Sequence, residues 1–428
     1  MKKYGCIGKT LQHSFSKEIH AKLADYKYEL MELAENEIPP FFAKKDFAAI
    51  NVTIPYKQTV IPYLDWISEV AKKIGAVNTI VNKDGKLYGY NTDYHGLKAL
   101  IEKAGVDLAG KKVLILGSGG TAKTARVVAG DLSAAEILTV SRSLKEGCIT
   151  YEEAMKRHGD AKVIINTTPS GMYPHCEEKP IELSFFQDLE GVIDVVYNPL
   201  RTNLVLEARQ RGLKAEGGLY MLVMQAVVAV EKFLDITIEK KTAERVFASV
   251  LASKENIVLT GMPGSGKSTI GKLLNVEGFD FIDTDGEIEN RCGCTIKELI
   301  AVKGENYFRD LETEVIREAA THNCCIIATG GGAILREENV KYLKQNGKLF
   351  FLDADISRLQ ATEDRPLSDT YEKLAKLYAA RIDIYEKTAD VKVPDLKTAK
   401  DEAEYIITKR EELILCYQLS NHVNYQEK

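Results

Sequence analysis

Two glycine-rich turns follow apolar runs at distant points of the chain, and each has the residues to hold phosphate groups. Gly264-Ser265-Gly266-Lys267-Ser268-Thr269 follows Ile257–Leu259, an order typical of a P-loop. Backbone N–H groups of such a loop wrap phosphate oxygens, its lysine reaches the outer phosphates, and its hydroxyl residue binds Mg²⁺. Gly117-Ser118-Gly119-Gly120-Thr121 follows Val113–Leu116 and fits the first turn of a dinucleotide-binding βαβ unit. The sequence therefore predicts two nucleotide sites.

The next strand end after the upstream turn indicates which dinucleotide is bound. It reads Ser141-Arg142-Ser143, whereas an NAD enzyme usually has Asp or Glu there, on the ribose 2′-hydroxyl. The planar fork of an arginine suits a 2′-phosphate, and the flanking hydroxyls can add hydrogen bonds. We therefore expect NADP(H); the alternative is a solvated arginine on a surface loop.

Apolar runs that alternate with amphipathic helical stretches predict βαβ units with parallel sheets in both halves. The runs are Val113–Leu116, Ile137–Val140, Val163–Ile165 and Val192–Val196, then Ile257–Leu259, Phe279–Ile282, Cys325–Ala328 and Leu349–Leu352. Earlier strand-like pieces at Tyr4–Ile7, Ala49–Ile54 and Ala76–Val81 suggest a separate substrate domain. The most apolar stretch, Leu219 to Val230, is shorter than a bilayer span and predicts a buried helix.

A chain of 428 residues suggests two or three domains. The pattern becomes helical through Tyr220–Leu234 and Thr242–Leu251, and we expect residues 252–256 to interrupt it and form the main boundary. The α/β organisation predicted is a substrate domain (1–97 with 215–251), a Rossmann-like NADP-binding domain (98–214), a P-loop domain with a parallel sheet (255–410) and a tail (411–428). Because few residues join the halves, we expect fragments 1–252 and 254–428 to fold independently.

Composition restricts the class of partner and the compartment. A net charge of -5 and a pI near 6.0 argue against nucleic acid or an anionic membrane, which would require a concentrated basic stripe. The eight cysteines make no dense disulfide framework, and neither Cys292-x-Cys294 nor Cys324-Cys325 has a matching zinc-ligand pair. Met1-Lys2-Lys3 is not followed by a sustained apolar region, so we expect no secretory segment and a cytoplasmic protein.

Polar motifs within apolar surroundings identify a family in the first half. They are Gln12–Ser16, Asn51–Lys57, Gly75–Thr79, Gly89–Asp93, Asn166–Met172, Asp194–Asn203 and Gly218–Gln225. Each resembles a signature of shikimate dehydrogenase, in the family's order, over about residues 4–250. The resemblance implies that NADPH delivers hydride to the C3 ketone of 3-dehydroshikimate, giving shikimate.

The resemblance also implies residue roles. Lys57 and Asp93 would form the catalytic pair at the substrate, with Lys57 the proton donor to the developing alkoxide; the alternative for Lys57 is an exposed lysine after a proline turn. The other roles would be substrate carboxylate binding by Ser14, Ser16 and Tyr197, ring hydroxyl binding by Thr53, Asn78 and Gln225, and contact with the nicotinamide by Gly218 and Glu69. Thr10, Lys17 and Ser118 depart from the family pattern, and residues 20–51 look shorter than usual.

Three further motifs indicate what the P-loop serves: Asp283-Thr284-Asp285, Gly304–Arg309 and Ala328–Gly332. Together with the P-loop they resemble shikimate kinase over about residues 255–408. That resemblance implies that Lys267 stabilises charge on the transferring phosphoryl group, Ser268 binds Mg²⁺ and Asp283 holds the water shell of the ion.

On the acceptor side the same resemblance implies that Asp285 orients or deprotonates the accepting hydroxyl of shikimate. Arg309 and Arg381 would clamp the carboxylate, and the backbone at Gly331 would approach the ring. Arg365 would close over ATP from a lid, although the segment from Leu359 looks shorter than the family's lid. The alternatives are a solvated strand end for the carboxylates and structural roles for the arginines.

The two halves would catalyse consecutive steps of aromatic amino-acid biosynthesis, as a bifunctional shikimate dehydrogenase and shikimate kinase. The expected cofactors are NADP(H), ATP and Mg²⁺, and the expected partners are small molecules, with no nucleic acid and no membrane. One alternative is a quinate-type dehydrogenase joined to a kinase for another small metabolite. The other is a nucleotide-sensing regulator, which the presence of Lys57, Asp93, Lys267 and Asp285 disfavours.

Overall fold

The computed structural model of the chain describes residues 3–11, 15–143, 145–274, 276–359 and 371–419. It divides into two compact units that do not follow the order of the sequence. The first unit comprises Met1–Met172, Glu178–Asn198 and Glu207–Val250, and the second comprises Tyr173–Glu177, Pro199–Leu206 and Leu251–Lys428. Two short segments from the first half of the sequence therefore belong to the second unit.

The first unit contains a mixed sheet in the strand order β2-β1-β3-β5-β6-β4. Its strands are β1 (Tyr4–Gly8), β2 (Tyr28–Glu32), β3 (Ala49–Val52), β4 (Trp66–Ile67), β5 (Thr79–Lys83) and β6 (Lys86–Tyr90). β1 pairs in parallel with β2 and β3, whereas β5 is antiparallel to β3 and β6. The associated helices are α1 (Ser16–Leu23), α2 (Ile38–Lys44), α3 (Glu69–Ile74) and α4 (Asp93–Lys103).

A second, fully parallel sheet of the same unit has the order β12-β11-β10-β7-β8-β9. Its strands are β7 (Lys112–Leu116), β8 (Glu136–Val140), β9 (Cys148–Ile149), β10 (Val163–Asn166), β11 (Gly191–Asp194) and β12 (Lys214–Glu216). The helices along this part of the chain are α5 (Gly120–Asp131), α6 (Tyr151–Arg157), α7 (Asn203–Gln210), α8 (Leu219–Leu234) and α9 (Lys240–Lys254). The central strands β7 and β10 are apolar and buried, as expected of a parallel sheet covered on both faces.

The second unit is built on a parallel sheet in the order β14-β15-β13-β16-β17. Its strands are β13 (Asn256–Gly261), β14 (Asp280–Asp283), β15 (Cys325–Ala328), β16 (Gly347–Asp353) and β17 (Val391–Pro394). Its helices are α10 (Lys267–Leu273), α11 (Thr284–Cys292), α12 (Ile296–Lys303), α13 (Glu305–Thr321), α14 (Glu337–Asn346), α15 (Tyr371–Thr388) and α16 (Ala399–Leu419). Successive strand residues such as Val258 and Leu259 enter different apolar clusters, because a strand points alternate side chains to opposite faces.

The architecture confirms the α/β prediction and the parallel sheets of both halves, and Leu219–Val230 lies in the buried helix α8. The expected interruption over residues 252–256 is wrong for residues 252–254, and Glu255 alone separates the helix from the next strand. Helix α9 continues to Lys254, and β13 begins at Asn256. The reason is that Ala252 and Lys254 are good helix formers, so the polar composition of this stretch does not end the helix. Within the described ranges, no helix has both the length and the hydropathy needed to cross a bilayer.

Helices α4 and α8 approach each other closely at Gly96. A Cβ atom at this position would lie 2.5 Å from the carbonyl oxygen of Met221 and 3.0 Å from Cβ of Gln225. Backbone oxygen atoms cannot move aside as a flexible side chain can, so a larger residue would push the helices apart. The contact matters because α4 begins at Asp93 and α8 carries Gln225.

We predict that Gly96→Ala lowers the free energy of unfolding of the first unit by about 1–3 kcal/mol, as is usual for overpacking a well-packed contact. The control is Gly130→Ala in α5, where a Cβ meets no atom within 4 Å. That variant should match the parent or gain about 0.5–1 kcal/mol, because alanine favours the helix. Denaturant unfolding of the full chain measures both; equal effects would contradict the proposed close approach.

Candidate active sites

In the first unit, a lysine after β3 and an aspartate at the start of α4 form an ion pair. Lys57 Nζ lies 2.6 Å from Asp93 Oδ2, and their side chains are 21% and 13% exposed. The second oxygen, Asp93 Oδ1, accepts a hydrogen bond from Asn78 Nδ2 at 2.9 Å. The ammonium group is thus fixed in direction yet remains in reach of a ligand.

A buried polar network continues from this pair. Asn78 is 3% exposed, and its Oδ1 accepts the backbone N–H of Thr92 at 2.7 Å. The hydroxyl of Thr92 donates to Gln225 Oε1 at 3.4 Å. The structure therefore brings Asn78 and Gln225 together with Lys57, as the sequence predicted, and adds Thr92. The signal for Thr92 was its place directly before Asp93 in the motif Gly89–Asp93.

The remaining predicted substrate residues lie near strand ends or a helix start. Tyr197 follows β11 and packs edge-on against Phe15, with ring centroids 5.3 Å apart. Burial raises the pKa of Tyr197, so its hydroxyl stays neutral and can donate a hydrogen bond. Thr53 is half-buried after β3, and Ser16 is half-buried as the first residue of α1. Ser14 lies outside the described residues.

The upstream glycine turn joins β7 to α5. Gly117 has φ +103°, and a Cβ there would lie 2.9 Å from Thr167 Oγ1, so the turn requires glycine. Gly119 and Gly120 form the N-terminal end of α5, whose free N–H groups suit a pyrophosphate, with Thr121 next in the helix. The hydroxyl of Ser118 accepts a hydrogen bond from Lys145 Nζ at 2.9 Å. Lys145 was missed, although a second basic residue close after Arg142 was a visible signal.

The end of β8 presents the predicted ribose-binding residues. Ser141 is buried, whereas Arg142 and Ser143 are exposed. The charge of Arg142 acts on Tyr151: burial raises the pKa of the Tyr151 phenol, and the nearby guanidinium opposes that rise. The arginine therefore lies beside the start of α6 with its side chain free to meet an anion.

The two residues expected at the nicotinamide differ in character. Gly218 precedes α8, and a Cβ there would lie only 2.1 Å from the carbonyl oxygen of Val195. Close backbone packing therefore accounts for this glycine. Glu69 begins α3 and is 87% exposed, with its carboxylate 2.7 Å from Lys72 Nζ. Glu69 is thus a solvent-facing residue paired within its own helix.

In the second unit, the P-loop joins β13 to α10. Lys267 is 8% exposed, and its Nζ donates to the carbonyl oxygens of Gly261 and Met262, both at 2.9 Å. Ser268 Oγ donates to Asp283 Oδ2 at 2.6 Å. Hydroxyl and carboxylate oxygens fit Mg²⁺, which is usually held by one or two protein oxygens together with phosphates and water. The remaining residues of the loop are Gly264, Ser265, Gly266 and Thr269. Ser265 is buried, and within the described part of the chain its Oγ has no hydrogen-bond partner.

Two carboxylates meet at Gly330, directly after β15. A Cβ at Gly330 would lie 2.6 Å from Asp285 Oδ1 and 2.8 Å from Glu312 Oε1. Both oxygens are buried and have no hydrogen-bond partner among the residues that the structure describes. Burial, followed by the charge of Glu312, raises the pKa of Asp285 to about 6, against an opposing effect of Lys267. A carboxylate with that pKa is suited to exchange a proton near neutral pH.

Arginines surround the same strand end. Arg309 Nη1 lies 2.8 Å from Glu312 Oε2, and Arg381 Nη1 donates to the carbonyl oxygen of Gly331 at 3.1 Å. Tyr385 donates its hydroxyl to the same Gly331 oxygen and is 2.9 Å from that of Gly261, at the start of the P-loop. The sequence reasoning missed Glu312 and Tyr385.

The spacing of these side chains was an available signal. Glu312 is three residues after Arg309 in α13, and Tyr385 is four residues after Arg381 in α15, so each pair shares a helix face. The structure therefore brings Asp285, Arg309, Gly331 and Arg381 to one strand end, as predicted. Arg365 lies outside the described residues.

Comparison with known proteins finds family matches in both halves of the chain. Residues 6–80 match the family model described as shikimate dehydrogenase substrate binding domain, and residues 263–411 match the model described as shikimate kinase. The chain is 39% identical over 265 residues to a shikimate dehydrogenase (NADP(+)) of Clostridium perfringens, an alignment that covers 58% of this chain and 97% of that protein.

Solved structures give the same result for the first part of the chain. A chorismate mutase/shikimate 5-dehydrogenase fusion protein from Clostridium acetobutylicum aligns with a TM-score of 0.55 and 34% identity, covering 58% of this chain and 97% of that one. Shikimate 5-dehydrogenase from Thermus thermophilus, solved with NADP(H) and shikimate, aligns with a TM-score of 0.53 and 26% identity, covering 58% and 99%.

We predict that Asp285→Asn changes the pH dependence of stability of the second unit. Because the folded pKa of Asp285 is raised from 3.8 to about 6, the folded state binds its proton more tightly, and stability falls as pH rises between these values. Asparagine removes that loss. Below pH 4 the variant should match the parent, and at pH 7 it should be more stable by about 1–3 kcal/mol. Denaturant unfolding at each pH measures the difference; a constant difference across pH would contradict it.

Proposed function

Because the chain belongs to the shikimate dehydrogenase family and carries a shikimate kinase domain, we propose that it catalyses two consecutive reactions. The first is NADPH-dependent reduction of 3-dehydroshikimate to shikimate, and the second is ATP-dependent phosphorylation of shikimate to shikimate 3-phosphate. The observation that carries the proposal is that each unit places an acid–base group among polar side chains suited to a hydroxylated carboxylic acid. The cytoplasmic location remains a proposal, supported by the need for NADPH and ATP.

In the reduction, Lys57 donates a proton to the carbonyl oxygen of the substrate as negative charge develops there. Its 2.6 Å contact with Asp93 aims the ammonium group, and Asn78 holds Asp93 in turn. NADPH, when bound, supplies the hydride. Asn78, Thr53 and Gln225 bind ring hydroxyls, while Ser14, Ser16 and Tyr197 bind the carboxylate. Such directional hydrogen bonds select a polar ring by its shape, because an ill-fitting ligand would leave buried groups unpaired.

In the phosphorylation, Asp285 orients the accepting hydroxyl and takes its proton, a role supported by its raised pKa of about 6. Arg309 and Arg381 hold the substrate carboxylate, with Arg309 itself held by Glu312. Lys267 stabilises charge on the transferring phosphoryl group once it exchanges its loop carbonyls for phosphate oxygens. Ser268 and Asp283, whose side chains meet at 2.6 Å, would hold Mg²⁺, and the ion would supply neutralisation of phosphate charge.

The decisive experiment supplies 3-dehydroshikimate, NADPH and Mg-ATP to the full chain and identifies the products by mass. Shikimate 3-phosphate is expected, with oxidation of NADPH and formation of ADP in equal amounts. Accumulation of unphosphorylated shikimate would remove the kinase assignment. Reduction of a quinate-type substrate in preference to 3-dehydroshikimate would replace the dehydrogenase assignment.

We predict that Lys57→Ala lowers dehydrogenase turnover by about 10²- to 10⁴-fold, the usual contribution of a positioned acid–base group. Kinase turnover of the same preparation should be unchanged and serves as the folding control. The reciprocal variant Lys267→Ala should suppress phosphorylation and leave reduction intact. Both activities are followed on isolated substrates; near-parental reduction by Lys57→Ala would show that another group supplies the proton.

We predict that Arg142→Ala weakens NADPH binding by roughly 10- to 150-fold, because a charge-assisted hydrogen bond contributes about 1.5–3 kcal/mol. NADH binding should change much less, since NADH has no 2′-phosphate. Arg157→Ala is the matched control, because Arg157 is 77% exposed and pairs with Glu153 in α6. Titration of both cofactors measures the dissociation constants; equal losses for NADPH and NADH would refute phosphate recognition by Arg142.

A further inference from the structure

The second unit includes two segments, Tyr173–Glu177 and Pro199–Leu206, that precede its P-loop in sequence by many residues. Pro199–Leu206 is largely buried, whereas in Tyr173–Glu177 only Cys176 is buried. Cys176, Leu200 and Thr202 are 5%, 5% and 1% exposed. The longer segment, Pro199–Leu206, is therefore packed as part of a folded core.

Arg201 forms the densest set of contacts in the longer segment. Its Nη1 lies 2.7 Å from Glu255 Oε1, and the two side chains are 7% and 5% exposed. Its Nε donates to the carbonyl oxygen of Lys344 at 2.8 Å, and its Nη2 donates to that of Gly347 at 3.0 Å. One guanidinium group thus satisfies a buried carboxylate and two carbonyl oxygens at the C-terminal end of α14.

This arrangement is physically favourable for two reasons. The last carbonyl groups of a helix have no partner within the helix, and a cation near them is stabilised by the helix dipole. Glu255 stands between α9 and β13, where a buried carboxylate without a cation would be costly. Arg410 also acts on Glu255, since burial lowers the pKa of the Arg410 guanidinium and Glu255 opposes this.

Side chains of α14 complete the contact with both segments. Asn346 Oδ1 accepts the backbone N–H of Leu200 at 2.9 Å, while its Nδ2 donates to the carbonyl oxygen of Ala320 at 3.0 Å. Gln345 Nε2 donates to the carbonyl oxygen of Cys176 at 2.7 Å and to Asn203 Oδ1 at 3.1 Å. The end of α14 therefore presents donors and acceptors that match the two segments.

We propose that the end of α14, Glu255 and the start of β16 form a docking surface for Pro199–Leu206 of the same chain, and that this segment, whose first residues also belong to the motif Asp194–Asn203, stabilises the kinase. Arg201 is its anchor residue. The inference differs from the expectation that fragment 254–428 folds independently. That fragment keeps Glu255 and the carbonyl groups of Lys344 and Gly347 but lacks the guanidinium that contacts them.

The test uses the full chain and measures, after brief heating, the temperature at which each activity is half lost. Arg201→Met keeps much of the side-chain volume and removes the charge. Its kinase midpoint should fall by roughly 5–10 °C, less than a fully uncompensated buried charge would produce because Arg410 is near Glu255. Its dehydrogenase midpoint should change little, although position 201 precedes residue 250 in sequence. Both activities before heating should equal those of the parent.

Two further variants separate the proposal from a general effect of mutation. Arg291→Met removes a more exposed ion pair of the same unit, with side chains 34% and 46% exposed, and should leave the kinase midpoint unchanged. Arg201→Met combined with Glu255→Leu should restore part of the loss, because Glu255 is then not left buried without Arg201, although Arg410 loses a nearby carboxylate. If Arg201→Met is insoluble, Glu255→Gln supplies the same comparison. A kinase midpoint lowered no more than by Arg291→Met, or a fall confined to the dehydrogenase, would overturn the proposal.

Discussion

Parallel strands end together at one edge of a sheet, and both units depend on this constraint. At that edge the chain leaves the sheet through a loop and enters a helix, so unpaired backbone N–H groups gather beside the polar side chains of several strands. The turn after β7 and Arg142 after β8 occupy such an edge, as do Lys267, Asp285 and Gly331 in the second unit. The apolar strands themselves carry no chemistry. The register of the strands decides which polar loops lie close enough together to contact the same ligand.

The charges of the buried ionisable groups are compensated differently in the two units. Lys57 and Asp93 form a direct pair, so that each compensates the other while partly withdrawn from water. In the described ranges Asp285 has no ion-pair partner: Glu312 beside it is also acidic, and Arg309 contacts Glu312. The first arrangement holds a cation in a fixed direction, whereas the second makes a carboxylate readier to accept a proton. The unfavourable proximity of two buried carboxyl groups can be kept at a functional site because the packing of the rest of the unit offsets its cost in stability.

Much of this could be predicted from sequence because it is local. A glycine turn after an apolar run, or the motif around Lys57, is visible within a short window of residues, and the strand periodicity gave both parallel sheets. Glu312 and Tyr385 were missed because their importance comes from contacts with other elements, although their helical spacing was visible. The end of α9 was misplaced because polar residues such as Ser253 and Lys254 suit an exposed helix as well as a loop. The membership of Pro199–Leu206 in the second unit could not be foreseen, because no local pattern encodes a partner so far along the chain.

During protein synthesis, Arg201 is made before the residues that it contacts in the folded protein. Arg201 leaves the ribosome 54 residues before Glu255 and 146 residues before Gly347. At roughly 5–20 residues per second, these intervals are about 3–11 s and 7–29 s. The second unit therefore folds around a segment that is synthesised before its P-loop. Recombination of the gene near codon 252 would replace the groups that accept hydrogen bonds from Arg201 and leave Arg201 itself unchanged. The boundary between the two halves of the sequence therefore differs from the boundary between the two units of the folded protein.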